Sequence, residues 1–204
     1  MASESMIIDL RRYDIKSASI MLAHAFQAYA PYTFAIPDDE RRRRRLPAMM
    51  ALNVRLGFYY GNAYATSPAM EGVMLTMPYP GGEFTFWRLI RCGMLSLLLS
   101  GVATGQKIGL VEETIGIAHE ELAPGPHVYV MMVGVDPAYQ GRGYASRLFR
   151  HVFSFADERH QPVFIDTCSE TDVAVYQHLD FEVVDRRPIP HSPLQTTAMI
   201  RSAR

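Results

Sequence analysis

The chain has 204 residues, 49% of them hydrophobic and 20% charged, with a formal net charge of −1, the balance of an ordinary globular protein able to bury a substantial core in one domain. So even a charge balance supplies no general attraction to nucleic acid or to an anionic membrane, and neither is expected as a partner. Cys92 and Cys168 have no paired spacing and His24, His151, His160, His178 and His191 no metal-ligand spacing, which excludes a disulfide framework and leaves no metal site to expect.

The start Met1-Ala2-Ser3-Glu4-Ser5 lacks a basic stretch followed by an apolar core, and the most apolar segment, residues 94–99, is far too short to span a bilayer. A soluble cytoplasmic protein is expected, with residues 1–204 forming one domain.

Residues 6–11 carry Ile7, Ile8 and Leu10 and read as a first strand, after which Asp14 is placed to cap a helix. Ile15, Ala18, Leu22, Ala25 and Tyr29 mark an amphipathic helix expected to end at Pro31. A second helix should begin near Asp38-Asp39-Glu40, where acids complement the helix dipole. The run Arg41 to Arg45 is spread around that helix and cannot all point at one ligand, so a solvated surface is expected rather than an anion site. Pro47 should kink or restart the helix.

Residues 62–66 and 72–77 read as two strands of a hairpin joined at Ser67-Pro68, and Pro78-Tyr79-Pro80-Gly81-Gly82 then breaks the chain. Residues 84–121 are helical twice over. Trp87, Leu89, Ile90, Met94, Leu97 and Leu98 lie in the first piece, Ile108, Val111, Ile115 and Ala118 in the second, with Gly101 and Gly105 dividing them. Strands are expected again at residues 128–135, 163–168, 182–185 and 194–200, with helices after Gly143 and at residues 173–179.

The stretch at residues 133–148 is the most informative. An apolar strand stops at Asp136-Pro137, because proline fixes φ and has no N–H to donate; helical spacing takes over after Gly143, with Ala145, Leu148, Val152 and Phe155 on one face. Between them, Gln140-Gly141-Arg142-Gly143 lets the backbone approach a ligand, and the free N–H groups of a helix start suit phosphate. A P-loop is excluded by spacing, since residues 101–107 have one residue too few and no hydroxyl after Lys107. The dinucleotide fingerprint is broken because Ser146 stands in its third glycine position.

Gln140 to Ala145 instead fit Gln/Arg-x-x-Gly-x-Gly/Ala behind a strand ending Val-x-Val-x-Pro, and at these residues the chain resembles the GNAT family of acetyl-CoA-dependent N-acyltransferases. The resemblance is strong over residues 127–190. It implies an α/β (α+β) GNAT fold with a central, mixed, mostly antiparallel sheet and flanking helices, in which the fourth and fifth strands are parallel and splay to admit the pantetheine arm. A helix crossing between those strands requires the same parallel pairing. Gly134 would suit a local bulge at the splay. Residues 84–121 would then be a helical insert between the third and fourth strands, forming either a wall over the acceptor cleft or a packed layer or homodimer face.

The resemblance also implies acetyl-CoA as acyl donor, a small amine as acceptor, and direct attack in a ternary complex. Backbone N–H groups of Val133, Gly134 and Val135 would stabilise the oxyanion; Gln140, Gly141, Arg142, Gly143, Tyr144, Ala145 and Ser146 would bind the coenzyme, with N–H groups from Gly141 to Ala145 on its diphosphate. Tyr176, in the register Tyr176-x-x-x-x-Phe181, matches the family's tyrosine that protonates the leaving thiolate. Asp172 stands where the family often has an asparagine on the coenzyme and lacks the amide donor. Asp166 and His127 are candidate general bases, with Glu112, Glu113 and His119 behind them; the bland reading of each, a satisfied surface or strand-end residue, is the one favoured, with water chains serving instead. Cys168 is expected to be an inert small hydrophobe. Tyr32, Phe34, Phe58, Tyr59 and Tyr60 suggest an acceptor with an apolar body, although such residues also build cores. The competing reading is a coenzyme A-binding sensor or interaction protein of the same fold without catalysis.

Overall fold

The computed structural model describes residues 7–81, 85–94 and 101–204; the expected positions Met6, Gly82, Phe84, Leu97 and Leu98 lie outside them. Its strands are β1 (Ile8–Asp9), β2 (Asn62–Ala65), β3 (Gly72–Tyr79), β4 (His127–Val135), β5 (Val163–Thr167), β6 (Glu182–Pro188) and β7 (Gln195–Arg201). They form one sheet in the order β1-β2-β3-β4-β5-β7-β6, mostly antiparallel, with β4 and β5 parallel as the crossover requires. The helices are α1 (Ile15–Ala25), α2 (Ala30–Ala35), α3 (Asp39–Tyr60), α4 (Phe86–Cys92), α5 (Val102–Leu122), α6 (Tyr144–Glu158) and α7 (Glu170–Gln177).

Period-two alternation divides the core between the two faces of the sheet. Ala63, Ala65, Val73 and Leu75 pack against α1 and α3 through Leu22, Met50 and Val54. Tyr64, Met74, Val130 and Ile165 face Leu148, Phe149, Val152 and Ala156 of α6 and Val173 and Tyr176 of α7. The amphipathic stripe read after Gly143 therefore meets the sheet, with Ala156 continuing it where Phe155 is only partly buried.

Several local expectations change. The first strand is only two residues long, and Asp14 sits at the N-cap of α1 without capping it; its carboxylate accepts the Arg11 N–H at 2.8 Å. Pro31 starts a helix instead of ending one: α1 stops at Ala25, and proline's fixed φ suits the first turn of α2. Pro47 lies inside a continuous α3, because the carbonyl it leaves without a donor belongs to exposed Arg43. Within the arginine run, Arg42 is buried, donating to the carbonyls of Gln27 at 2.7 Å and Ile36 at 2.6 Å and pairing with Asp39.

The bulge falls at Met131, where the register with β3 slips between Leu75 and Thr76, and Gly134 is regularly paired with Val73. Gly134 has a different reason to lack a side chain. A Cβ there would lie 2.8 Å from Leu22 Cδ2 and 3.1 Å from Ala25 Cβ, so α1 could not pack so closely on β4.

Candidate active site

β4 and β5 are paired only from Val128↔Val163 to Val130↔Ile165. Beyond Val130, β4 runs on to Val135 without β5 beside it, and the backbone on that edge faces a gap. A cavity of about 870 Å³ passes through this gap, lined by β4 from Tyr129 to Val135, by the loop Tyr139–Gly141 with Gly143, and by the start of α6. Its far part is walled by α1 to α3 and by Ile108, Val111, Glu112 and Ile115 of α5, with Leu89 of α4.

The loop end is built from backbone. Asp136 accepts the Ala138 N–H at 2.9 Å, and Gln140 Nε2 donates to the Val135 carbonyl at 3.2 Å, turning the chain away from the strand. Gly141 at φ +74° and Gly143 at φ +79° take the left-handed conformation that glycine adopts without steric cost. The first intrahelical bond of α6 is Arg147 N–H to Gly143 O at 3.1 Å, so the amides of Tyr144, Ala145 and Ser146 have no partner within the helix. A Cβ on either glycine would meet nothing within 4 Å. An open cradle of orphan amides at the positive end of a 15-residue helix fits a diphosphate.

Asp166 sits at the end of β5, where the strands part. Tyr129 Oη donates to Asp166 Oδ1 at 2.7 Å. Burial lifts the Asp166 carboxyl to about 6, against the lowering effect of the Tyr129 hydrogen bond. Glu112 faces it from α5 and is lifted to about 7 by burial and then by the charge of Asp166. By area Glu112 counts as exposed, yet protein surrounds it; its free surface opens into the cavity. Tyr29 completes this end. Its hydroxyl accepts the Cys168 N–H at 2.9 Å and lies 3.4 Å from Thr167 Oγ1. Burial pushes the Cys168 thiol up to about 12, as suits an inert residue.

Tyr176 is buried beside Phe149 and Phe181, with ring centroids 5.6 and 5.9 Å away, and borders the cavity. Its phenol is raised by burial and then by Asp172 and Asp166, so it stays protonated at neutral pH. The spacing of Val175 and Leu179, four apart, predicts that pair as the packing stripe of this helix, but Ser169 caps α7 by accepting the Asp172 N–H, which sets a phase that turns Val173 and Tyr176 inward and leaves Val175 44% exposed. Asp172 also borders the cavity, and its carboxylate accepts the Thr167 hydroxyl at 3.2 Å.

Of the residues singled out from sequence, Val133, Gly134, Val135, Gln140, Gly141, Gly143, Tyr144, Ala145, Ser146, Asp166, Asp172 and Tyr176 line this one cavity. Arg142 does not; its guanidinium lies over the Tyr139 ring, 5.5 Å from the centroid. His127 is also elsewhere. It begins β4, three residues before the gap, and is 2% exposed in an aromatic cluster with Tyr79, His119 and Phe164. Its Nδ1 donates to the Gly125 carbonyl at 2.7 Å, so its Nε2 must accept from His119 Nε2–H at 2.5 Å, and burial lowers its pKa. Both nitrogens are engaged, which leaves no ring atom to serve as base. Phe34, Phe58, Tyr59 and Tyr60 stand apart from the cavity lining, whereas Tyr32 belongs to it. Tyr29, Tyr129 and Asn53 were not singled out for the site.

The profile of the Acetyltransferase (GNAT) family matches residues 77–181, from the end of β3 to Phe181. N-alpha-acetyltransferase RimI of Mycobacterium tuberculosis is 36% identical over 74 residues, 35% of this chain and 46% of that protein. The matches span less than half the length of the curated relatives. Among solved structures, the histone acetyltransferase HPA2 and related acetyltransferase from Corynebacterium glutamicum superposes with a TM-score of 0.67 at 17% identity, over 98% of this chain and 96% of that one. The yncA protein of Salmonella typhimurium, solved with its cofactor acetyl-CoA, gives 0.53 at 15% identity over 98% and 94%. At these identities the superpositions speak for the fold.

Proposed function

Because the chain belongs to the GNAT acetyltransferase family, we propose that it is an acetyl-CoA-dependent N-acetyltransferase that acylates a small amine by direct attack in a ternary complex. The observation that carries this reading is the continuity of one cavity, with the amide cradle of Gly141 to Ser146 at one end, the β4–β5 gap in the middle and two carboxylates at the other.

In this reading the loop amides hold the diphosphate and the pantetheine arm lies along the unpaired edge of β4. Acetyl-CoA supplies a thioester carbonyl, whose developing oxyanion is met by backbone N–H groups within Val133 to Val135. Asp166 takes a proton from the acceptor's ammonium group, directly or through water, and leaves a neutral nucleophile. Tyr176 gives a proton to the departing sulfur. Residues 1–204 act as one domain, and α4 and α5 of the insert form the acceptor-side wall, a role supported by Leu89 and by the α5 side chains on the cavity. Free Cys92 and Cys168 and a need for acetyl-CoA suit the cytoplasm. Among the described residues no helix is long and apolar enough to cross a membrane.

The testing experiment is titration of the purified chain with coenzyme A, followed by an assay of thiol release from acetyl-CoA over a panel of amines. Coenzyme binding with amine-dependent release is expected. Binding without release from any amine would favour the sensor reading.

A further inference from the structure

The acceptor end of the cavity is electrically one-sided. Asp166 is hydrogen-bonded by Tyr129 at the gap, but Glu112 has no hydrogen-bond or ion-pair partner among the described residues. Among the described residues that line the cavity there is no Lys, Arg or His. This end of the cavity is lined by the hydrocarbon of Met49, Leu52, Ile108, Val111 and Ile115, with the polar groups of Tyr32, Asn53 and Tyr129 among them. A carboxylate that has no partner of its own and opens into a cleft marks a place where a ligand can supply the opposite charge.

We propose, on the footing of the transferase reading, that Glu112 is the specificity-determining residue that receives the acceptor's ammonium group, and that the acceptor is an amine with an apolar body and no carboxylate or phosphate of its own. The ammonium group enters between Glu112 and Asp166, while the apolar body lies against the side chains of α3 and α5. A free amino acid would bring a third carboxylate into a space that already holds two and, among the described residues, no cation.

The two acids divide the work by position. Asp166 stands at the end of β5 beside the gap, so it is the proton acceptor, and Glu112 on the insert wall holds the cation that approaches it. One proton leaves the ammonium for Asp166. The nitrogen lone pair then bonds to the acyl carbon, the carbon–sulfur bond breaks with its electron pair on sulfur, and sulfur takes the proton of Tyr176. The second nitrogen proton restores the tyrosine and the Asp166 proton passes to solvent. An ammonium and a thioester thus give an amide, a thiol and one proton.

The test uses the full chain, acetyl-CoA and matched acceptors: 2-phenylethylamine against phenylalanine, and hexylamine against 6-aminohexanoate. The amine lacking a carboxylate should have the higher kcat/KM by about 30-fold or more, the lower end of what a buried charge mismatch does to affinity. Glu112→Gln, nearly the same in shape, should raise KM for the amine by about 10- to 100-fold, with most of the effect in KM and with coenzyme affinity retained in calorimetry. Glu112→Asp keeps the charge and should preserve the preference for uncarboxylated amines. Equal use of both members of each parent pair would overturn the proposal without reference to any variant, as would an unchanged KM in Glu112→Gln. Thiol release by no amine at all would overturn the transferase reading and the proposal with it, so the two failures are distinct.

Discussion

The phenol of Tyr129 donates a 2.7 Å hydrogen bond to Asp166 at the point where their two parallel strands separate. The bond fixes the carboxylate that the proposed reaction uses as base and favours its ionised form, against the larger opposing effect of burial. An ionised carboxylate is needed to take a proton, so activity should fall as pH drops through the range near 6 to 7 where Asp166 and Glu112 titrate. The observed values will belong to the pair. Tyr129→Phe removes one bond to the charged form and should move this acid limb upward by about one pH unit, the equivalent of a charge-assisted hydrogen bond of ordinary strength. A pH–rate profile of parent and variant measures the shift.

Gly143 begins α6 at φ +79°, a conformation that a β-branched residue reaches only with strain. Among the described residues nothing lies within 4 Å of the position a Cβ would take, so crowding by them does not confuse the result. Gly143→Val should fold and should lose about tenfold or more in coenzyme A affinity, since strain of about 1–3 kcal/mol falls on the loop that must present its amides. Calorimetric titration measures the loss.

Tyr176→Phe keeps the ring that packs on Phe149 and Phe181 and removes only the hydroxyl. As general acid its loss should lower kcat by about 10²- to 10⁴-fold while coenzyme affinity and melting temperature change little. Single-turnover acetyl transfer isolates the chemical step. An unchanged single-turnover rate would make the tyrosine part of the wall.

At Gly134 the expectation concerns packing. Gly134→Val would press a side chain into Leu22, Ala25 and Phe26, and overpacking of this kind costs about 1–3 kcal/mol. In a chain of this length that lowers Tm by about 2–4 °C for each kcal/mol, which thermal unfolding will register.

What the sequence disclosed follows from the range of the interactions involved. The strand, Asp136-Pro137 stop, glycine loop and helix at residues 133–148 are set by neighbours in sequence, and the left-handed Gly141 and Gly143 fall where the motif places them. The parallel pairing of β4 and β5 was legible because the intervening helix leaves no other topology. Long-range packing was not legible. Tyr29 reaches the backbone of Cys168 across 139 positions, and Tyr129 was read only as part of an apolar strand. His127 resembled a base by type, yet its partners Gly125 and His119 became evident only when α5 folded against the sheet. Glu112 was one of several acids on a predicted helix, and the phase of α5 against the cavity distinguishes it. The bulge at Met131, in place of Gly134, depends on register with β3, which no local signal encodes.

The most direct measurement of the central claim is thiol release from acetyl-CoA by the purified chain, with the acylated amine identified by mass. The account predicts release that depends on an amine with an apolar body, with one amide formed for each thiol. Tight coenzyme A binding without amide formation from any amine tried would contradict it.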